Sequence, residues 1–164
     1  EIYQCDWSSD VCSSDLVRVS AIAVDHGDLI KPAFGFRIDY DGRSVVLSGD
    51  TRFSENLIKH ASGVDVLVHQ VAMAKDELLA KSERVRTILA HHTKPQEAGT
   101  VFARAQPRLA VYYHLVSQGE PGVPAPTEKD VEAATRATYA GPLVVGEDMM
   151  SFAIEKDAVR PIKN

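Results

Sequence analysis

A chain of 164 residues, 45% hydrophobic and 25% charged, is long enough for one domain with a real core. No apolar run is long enough to span a membrane, so no membrane partner is expected. The net charge of −5 lacks the basic excess of a large nucleic-acid footprint, so nucleic acid is an unlikely partner on composition.

The first residues do not fit the rest. Residues 1–15 are rich in Ser and Asp, without helical or strand periodicity, and the string DWSSDVCSSDL at 6–16 resembles a translated sequencing adapter. Residues 1–16 are therefore expected to be a leader outside the fold, and 17–164 the domain. Cys5 and Cys12 both lie in that leader, which leaves the domain no disulfide and no thiolate metal site.

In chain order, residues 16–24 alternate as a strand and Asp25-His26-Gly27-Asp28 breaks it. Residues 33–40 alternate again, and Asp41-Gly42 is a two-residue hairpin turn into a strand over 43–47. That strand runs into Ser48-Gly49-Asp50-Thr51, which places a carboxylate at a strand tip. A short helix over 53–61 and a buried strand over 64–68 follow, with His69-Gln70 at the strand's tip. Apolar spacing predicts helix over 73–89 with a break near Ser82. His91-His92-Thr93 comes next, and Pro95 opens a helix to about Ala105. Residues 109–113 form a strand ending at His114. A Gly/Pro loop over 118–126 leads to a helix capped by Thr127 and Asp130, and short strands lie at 143–145 and 150–154. Alternation of strands and helices means α/β layers.

Asp50, His69, His92 and His114 thus fall at or after successive strand ends. Imidazole and carboxylate suit zinc, manganese or iron, and a carboxylate can bridge two cations, so the set reads as a metal site.

These motifs resemble the metallo-β-lactamase fold superfamily, in the branch of ribonuclease Z, arylsulfatase-like and phosphodiesterase-like enzymes. The resemblance rests on Ser48-Gly49-Asp50-Thr51, on His92-Thr93 with Glu97-Ala98-Gly99, on the strand ending at His114, and on residues 139–148. It implies an α/β fold, the C-terminal half of an αββα sandwich, with a mixed sheet and helices packed on one face. It also implies two Zn²⁺ ions, with manganese or iron as alternatives, and hydrolysis of a phosphate or sulfate ester. By that resemblance Asp50 bridges the metals and His114 is a terminal ligand. His92 is catalytic, hydrogen-bonding to the phosphoryl or sulfuryl oxygens or the leaving group. His26 and Thr51 serve the substrate, His26 as a pocket-lining residue rather than a ligand. His69 orients its neighbours, and His60 and His91 are surface residues.

The family's His-x-His-x-Asp-His motif is not in this sequence. Two residues that touch the metal directly are too few for catalytic zinc, which takes three from protein, so the chain by itself is expected to be inactive. One sheet face should also lie uncovered and drive self-association. Ribonuclease Z carries a tRNA-gripping arm where this chain has Asp41-Gly42, and a His-Glu-Ala-Thr element where this chain has His69-Gln70-Val71-Ala72. A small ester substrate is therefore the first expectation. A tRNA 3′-processing ribonuclease fragment and a metal-free binding module are the alternatives.

Overall fold

A computed structural model describes residues 2–4 and 17–162. Cys5, Cys12 and the adapter-like string lie outside the described residues. Seven strands form one sheet in the order of the chain: β1 (Ile2–Gln4), β2 (Val17–Val24), β3 (Ala33–Tyr40), β4 (Arg43–Leu47), β5 (Val66–Ala74), β6 (Leu109–Gln118) and β7 (Leu143–Val145). The first four pair antiparallel and the last four, from β4 to β7, pair parallel. The sheet is mixed, as expected. Ile2–Gln4 pairs with Ser20–Ile22 at the edge of the sheet. Three residues are too few to show a period, which hid this strand in the sequence.

Among the described residues there are five helices: α1 (Glu55–His60), α2 (Asp76–Lys81), α3 (Glu83–Ala90), α4 (Pro95–Ala105) and α5 (Glu128–Arg136). Proline opens α4, and the Glu97 carboxylate accepts from the Lys94 N–H. Thr127 and Asp130 form the expected capping box at the start of α5. The segment predicted as helix over 73–89 divides differently, because β5 runs on to Ala74 before α2 begins. No helix among the described residues is long and apolar enough to cross a membrane.

Helices α1, α4 and α5 lie on one face of the sheet. Leu57, Val101, Phe102 and Val131 pack there on Ile22, Val46, Leu67 and Tyr112. Phe102 sits with ring centroids 5.4 Å from both Tyr112 and Tyr139, and the Tyr112 hydroxyl bonds to Thr135 at 2.7 Å. The other face carries Val66, Leu109 and Val111, covered by Phe152, Ile154 and Val159. Those three come from a separate hairpin of β8 (Ser151–Ile154) and β9 (Val159–Ile162), and β9 has no counterpart in the sequence reading. The face expected to be bare is thus half covered. Towards β2 and β3 no described residue covers it, with Val17 45%, Val19 37%, Phe36 42% and Tyr40 50% exposed.

Strand direction gathers the site. Because β3 is antiparallel to both β2 and β4, strands β2, β4, β5 and β6 all run the same way. The loops that follow β2 and β4 therefore meet at one end of the sheet.

Candidate metal centre

Asp50 owes its place to Gly49. The Ser48 N–H bonds to the Val68 carbonyl at 2.9 Å, prolonging the ladder past β4, and Gly49 then turns the chain at φ +60°. A β-carbon at Gly49 would run into the Phe34 carbonyl of β3, so both the angle and the close approach call for glycine. The turn brings the Asp50 carboxylate among three imidazoles.

His26 reaches the site from the loop after β2, with Nε2 4.0 Å from Asp50 Oδ2. His114 Nε2 lies 3.6 Å from the same oxygen. The ring of His92 is 5.1 Å from that of His26 and 6.0 Å from that of His114, centroid to centroid. Ligand atoms of His26, Asp50 and His92 all fall within 4.8 Å of one another, a spacing that one cation can span.

The donor chemistry fits a metal. His26 Nδ1 lies 2.9 Å from the His91 carbonyl, and His92 Nδ1 lies 2.8 Å from the Ile88 carbonyl. A carbonyl only accepts, so each Nδ1 carries the proton and each Nε2 keeps its lone pair for the site. Backbone carbonyls commonly fix metal-binding histidines in this way. Burial holds the His92 imidazole below its ordinary pKa, against the opposing pull of the Ile88 hydrogen bond, and the neighbouring His26 adds to the lowering. Burial, with the Asp50 charge beside it, raises the Tyr113 phenol.

His114 arrives by a bulge. Gln70 pairs with Tyr113 and Val71 with Leu115, so His114 is an extra residue on β6, at φ +45°. The bulge re-aims its side chain, and β6 continues for four residues beyond it. His114 is therefore not at a strand tip.

The structure places four other candidate residues as follows. His69 is also mid-strand and takes no part in the cluster. It is fully buried, edge-on to Phe102 at 5.7 Å, and burial pushes its pKa down to about 4. Thr51, expected to serve the substrate, is fully buried, and its hydroxyl is engaged with the backbone of Asp25 and Arg52. His26, assigned to the pocket lining, has the position and the tautomer of a ligand. A strand followed at once by Asp25-His26-Gly27 has the pattern of the Asp50 loop, and that was the available signal. His91 is no bystander either, since its carbonyl sets the His26 ring and its own ring lies against Gly27.

A model of the beta-lactamase superfamily domain matches residues 1–115. The chain is 34% identical over 135 residues to a putative ribonuclease Z of Mycobacterium tuberculosis, covering 82% of this chain and 58% of that protein. Among solved structures it resembles the metallo-beta-lactamase fold protein YhfI of Bacillus subtilis, with TM-score 0.61 and 15% identity over 80% of this chain and 47% of that one. It also resembles the short form of human tRNase Z, with TM-score 0.51 and 20% identity over 83% and 41% of the two chains. The chain belongs to the beta-lactamase superfamily and has the metallo-β-lactamase hydrolase fold, on the branch whose curated members include ribonuclease Z. It spans about half the length of the curated relatives it matches.

These relatives overturn the expectation that nucleic acid is an unlikely partner. Net charge sums the whole chain, and a sum over a segment half the length of those relatives does not report the field where a phosphate would sit.

Proposed function

We propose that this chain carries part of the metal centre of a phosphodiester hydrolase that acts on RNA at the 3′ end of tRNA precursors. The convergence of His26, Asp50, His92 and His114 carries the reading. The ribonuclease Z relatives supply the substrate class. Asp50 and His26 would hold a divalent cation, with His114, 3.6 Å from the same Asp50 oxygen, as a further donor and the Nε2 of His92 within reach; zinc suits these imidazole and carboxylate donors. Such a cation supplies Lewis-acid polarisation of a phosphoryl oxygen and a nucleophile at neutral pH.

His92 moves the proton. Its Nδ1–H is held by Ile88, so only Nε2 can exchange a proton with a leaving oxygen. Its lowered pKa keeps the resting imidazole neutral at pH 7, so Nε2 would first take the proton released as water attacks phosphorus and then give that proton to the leaving oxygen. His26 cannot take that role, because its Nε2 is turned to Asp50.

A second reading, hydrolysis of a small phosphate or sulfate ester, is favoured by the tight turn between β3 and β4. Tyr40 pairs directly with Arg43 across Asp41-Gly42, leaving no insertion there to grip a folded RNA.

The test loads the chain with Zn²⁺, measures bound metal, and offers a tRNA precursor with a 3′ trailer beside an aryl phosphodiester and an aryl sulfate. Zn²⁺ binding that is lost in Asp50→Ala is the expected result, and any trailer removal by the chain should be lost with it. Turnover of a small ester alone would transfer the case to the second reading. Equal metal content in Asp50→Ala and wild type would remove Asp50 from the centre.

A further inference from the structure

Each of three metal-capable residues is next in sequence to a residue of one buried hydrogen-bond network. His26 follows Asp25, Asp50 precedes Thr51, and His92 precedes Thr93. Thr51, Thr93 and Gln70 are all fully buried. The Thr51 carbonyl accepts two side-chain donors, Gln70 Nε2 at 2.7 Å and Thr93 Oγ1 at 2.8 Å. On the other side, the Thr51 hydroxyl accepts from the Asp25 N–H at 3.3 Å, and the Arg52 N–H donates to the Asp25 carbonyl at 2.6 Å. The Thr93 carbonyl in turn accepts from the Ala72 N–H of β5 at 2.9 Å. Three loops from different parts of the chain are thereby tied to one another and to the central strand.

We infer that Thr51, Gln70 and Thr93 form a latch that sets the separation of His26, Asp50 and His92, with Thr93 as its positioning residue. This rests on the metal-centre reading above. The ligand-bearing loops have no regular secondary structure over 25–27 or 48–52 to hold them. A site on loops is only as sharp as the contacts behind it, and outer-shell hydrogen bonds of this kind commonly govern metal affinity. Thr93 is the telling member, because valine has its shape without its hydroxyl. Apolar packing alone would accept either residue. Only the bond to Thr51 requires threonine or serine.

The experiment compares Thr93→Val and Thr93→Ser with wild type, using Zn²⁺ alone as probe against a competing chelator, and amide hydrogen exchange on the metal-free chain. Thr93→Val should weaken Zn²⁺ binding tenfold or more and speed exchange of the Arg52 and Ala72 amides by a similar factor. Core amides of β5 before His69 should stay within twofold, and Thr93→Ser should return both readouts towards wild type. Unchanged exchange at Arg52 and Ala72 overturns the latch, as does unchanged affinity in a wild type that binds Zn²⁺. If wild type binds no Zn²⁺, the metal-centre reading fails and the exchange arm alone decides the latch. Should Thr93→Val not fold, Gln70→Met removes the other donor to Thr51 and is judged by the same criteria.

Discussion

At the scale of single residues, one histidine governs how the fold answers acid. His69 is enclosed between β5 and α4, and burial lowers its pKa from the ordinary 6.5 to about 4. An unfolded chain takes up the proton below about pH 6.5, while the folded chain refuses it until about pH 4. Stability from this group is therefore complete above pH 6.5 and falls through that window, by roughly 3 kcal/mol in all. Denaturant titrations of wild type and His69→Leu across pH 4 to 7 should show a steeper loss for wild type. Parallel slopes would mean that His69 protonates in the folded state without penalty.

At the scale of elements, the helix layer depends on one close approach. Gly99, in the middle of α4, faces α5 so tightly that a β-carbon would strike the Thr138 hydroxyl and lie 2.7 Å from the Thr135 carbonyl. Gly99→Ala should cost about 1–3 kcal/mol, in spite of the better helix propensity of alanine. Thermal unfolding checks the sign: stabilisation would show that α4 and α5 can separate freely. The same substitution should leave metal affinity near wild type, since the atoms a β-carbon at Gly99 would meet belong to Thr135 and Thr138 and not to Thr51 or Thr93. Much of this layer could be read directly. The 3.6-residue spacing of Ala98, Val101, Phe102 and Ala105 marks the face of α4, and Pro95 marks its start. The ends of β5 and β6 could not be read, because strand length past Gln70 and Tyr113 is set by mutual pairing around a bulge. Neither strand contains a local signal for that bulge.

At the scale of the whole molecule, the open part of the sheet is the dominant surface feature. Val17 and Val19 of β2 stand opposite Tyr40 and Ile38 of β3 on one face, next to the part that Phe152, Ile154 and Val159 cover. An apolar patch of this extent favours association in water. Sedimentation of the chain should show concentration-dependent association that a Val19→Lys and Phe36→Lys pair reduces. Association unchanged by that pair would place the contact elsewhere.

The periodic elements, their caps and hairpin turn, and the carboxylate of Asp50 are legible along the chain, because these depend on neighbours within a few residues. It also carried the family resemblance in Ser48-Gly49-Asp50-Thr51 and the strand ending at His114. Only the tertiary structure decided which histidines meet. His26 and His114 reach Asp50 because β2, β4 and β6 share a direction and a bulge turns one side chain, while alternation on β5 sends His69 into the helix layer. Thr51 and Thr93 read as ordinary polar loop residues until the fold buries them against one carbonyl. Side-chain partners across dozens of residues have no local signature, since they are fixed by how strands align and not by what lies beside them in the chain.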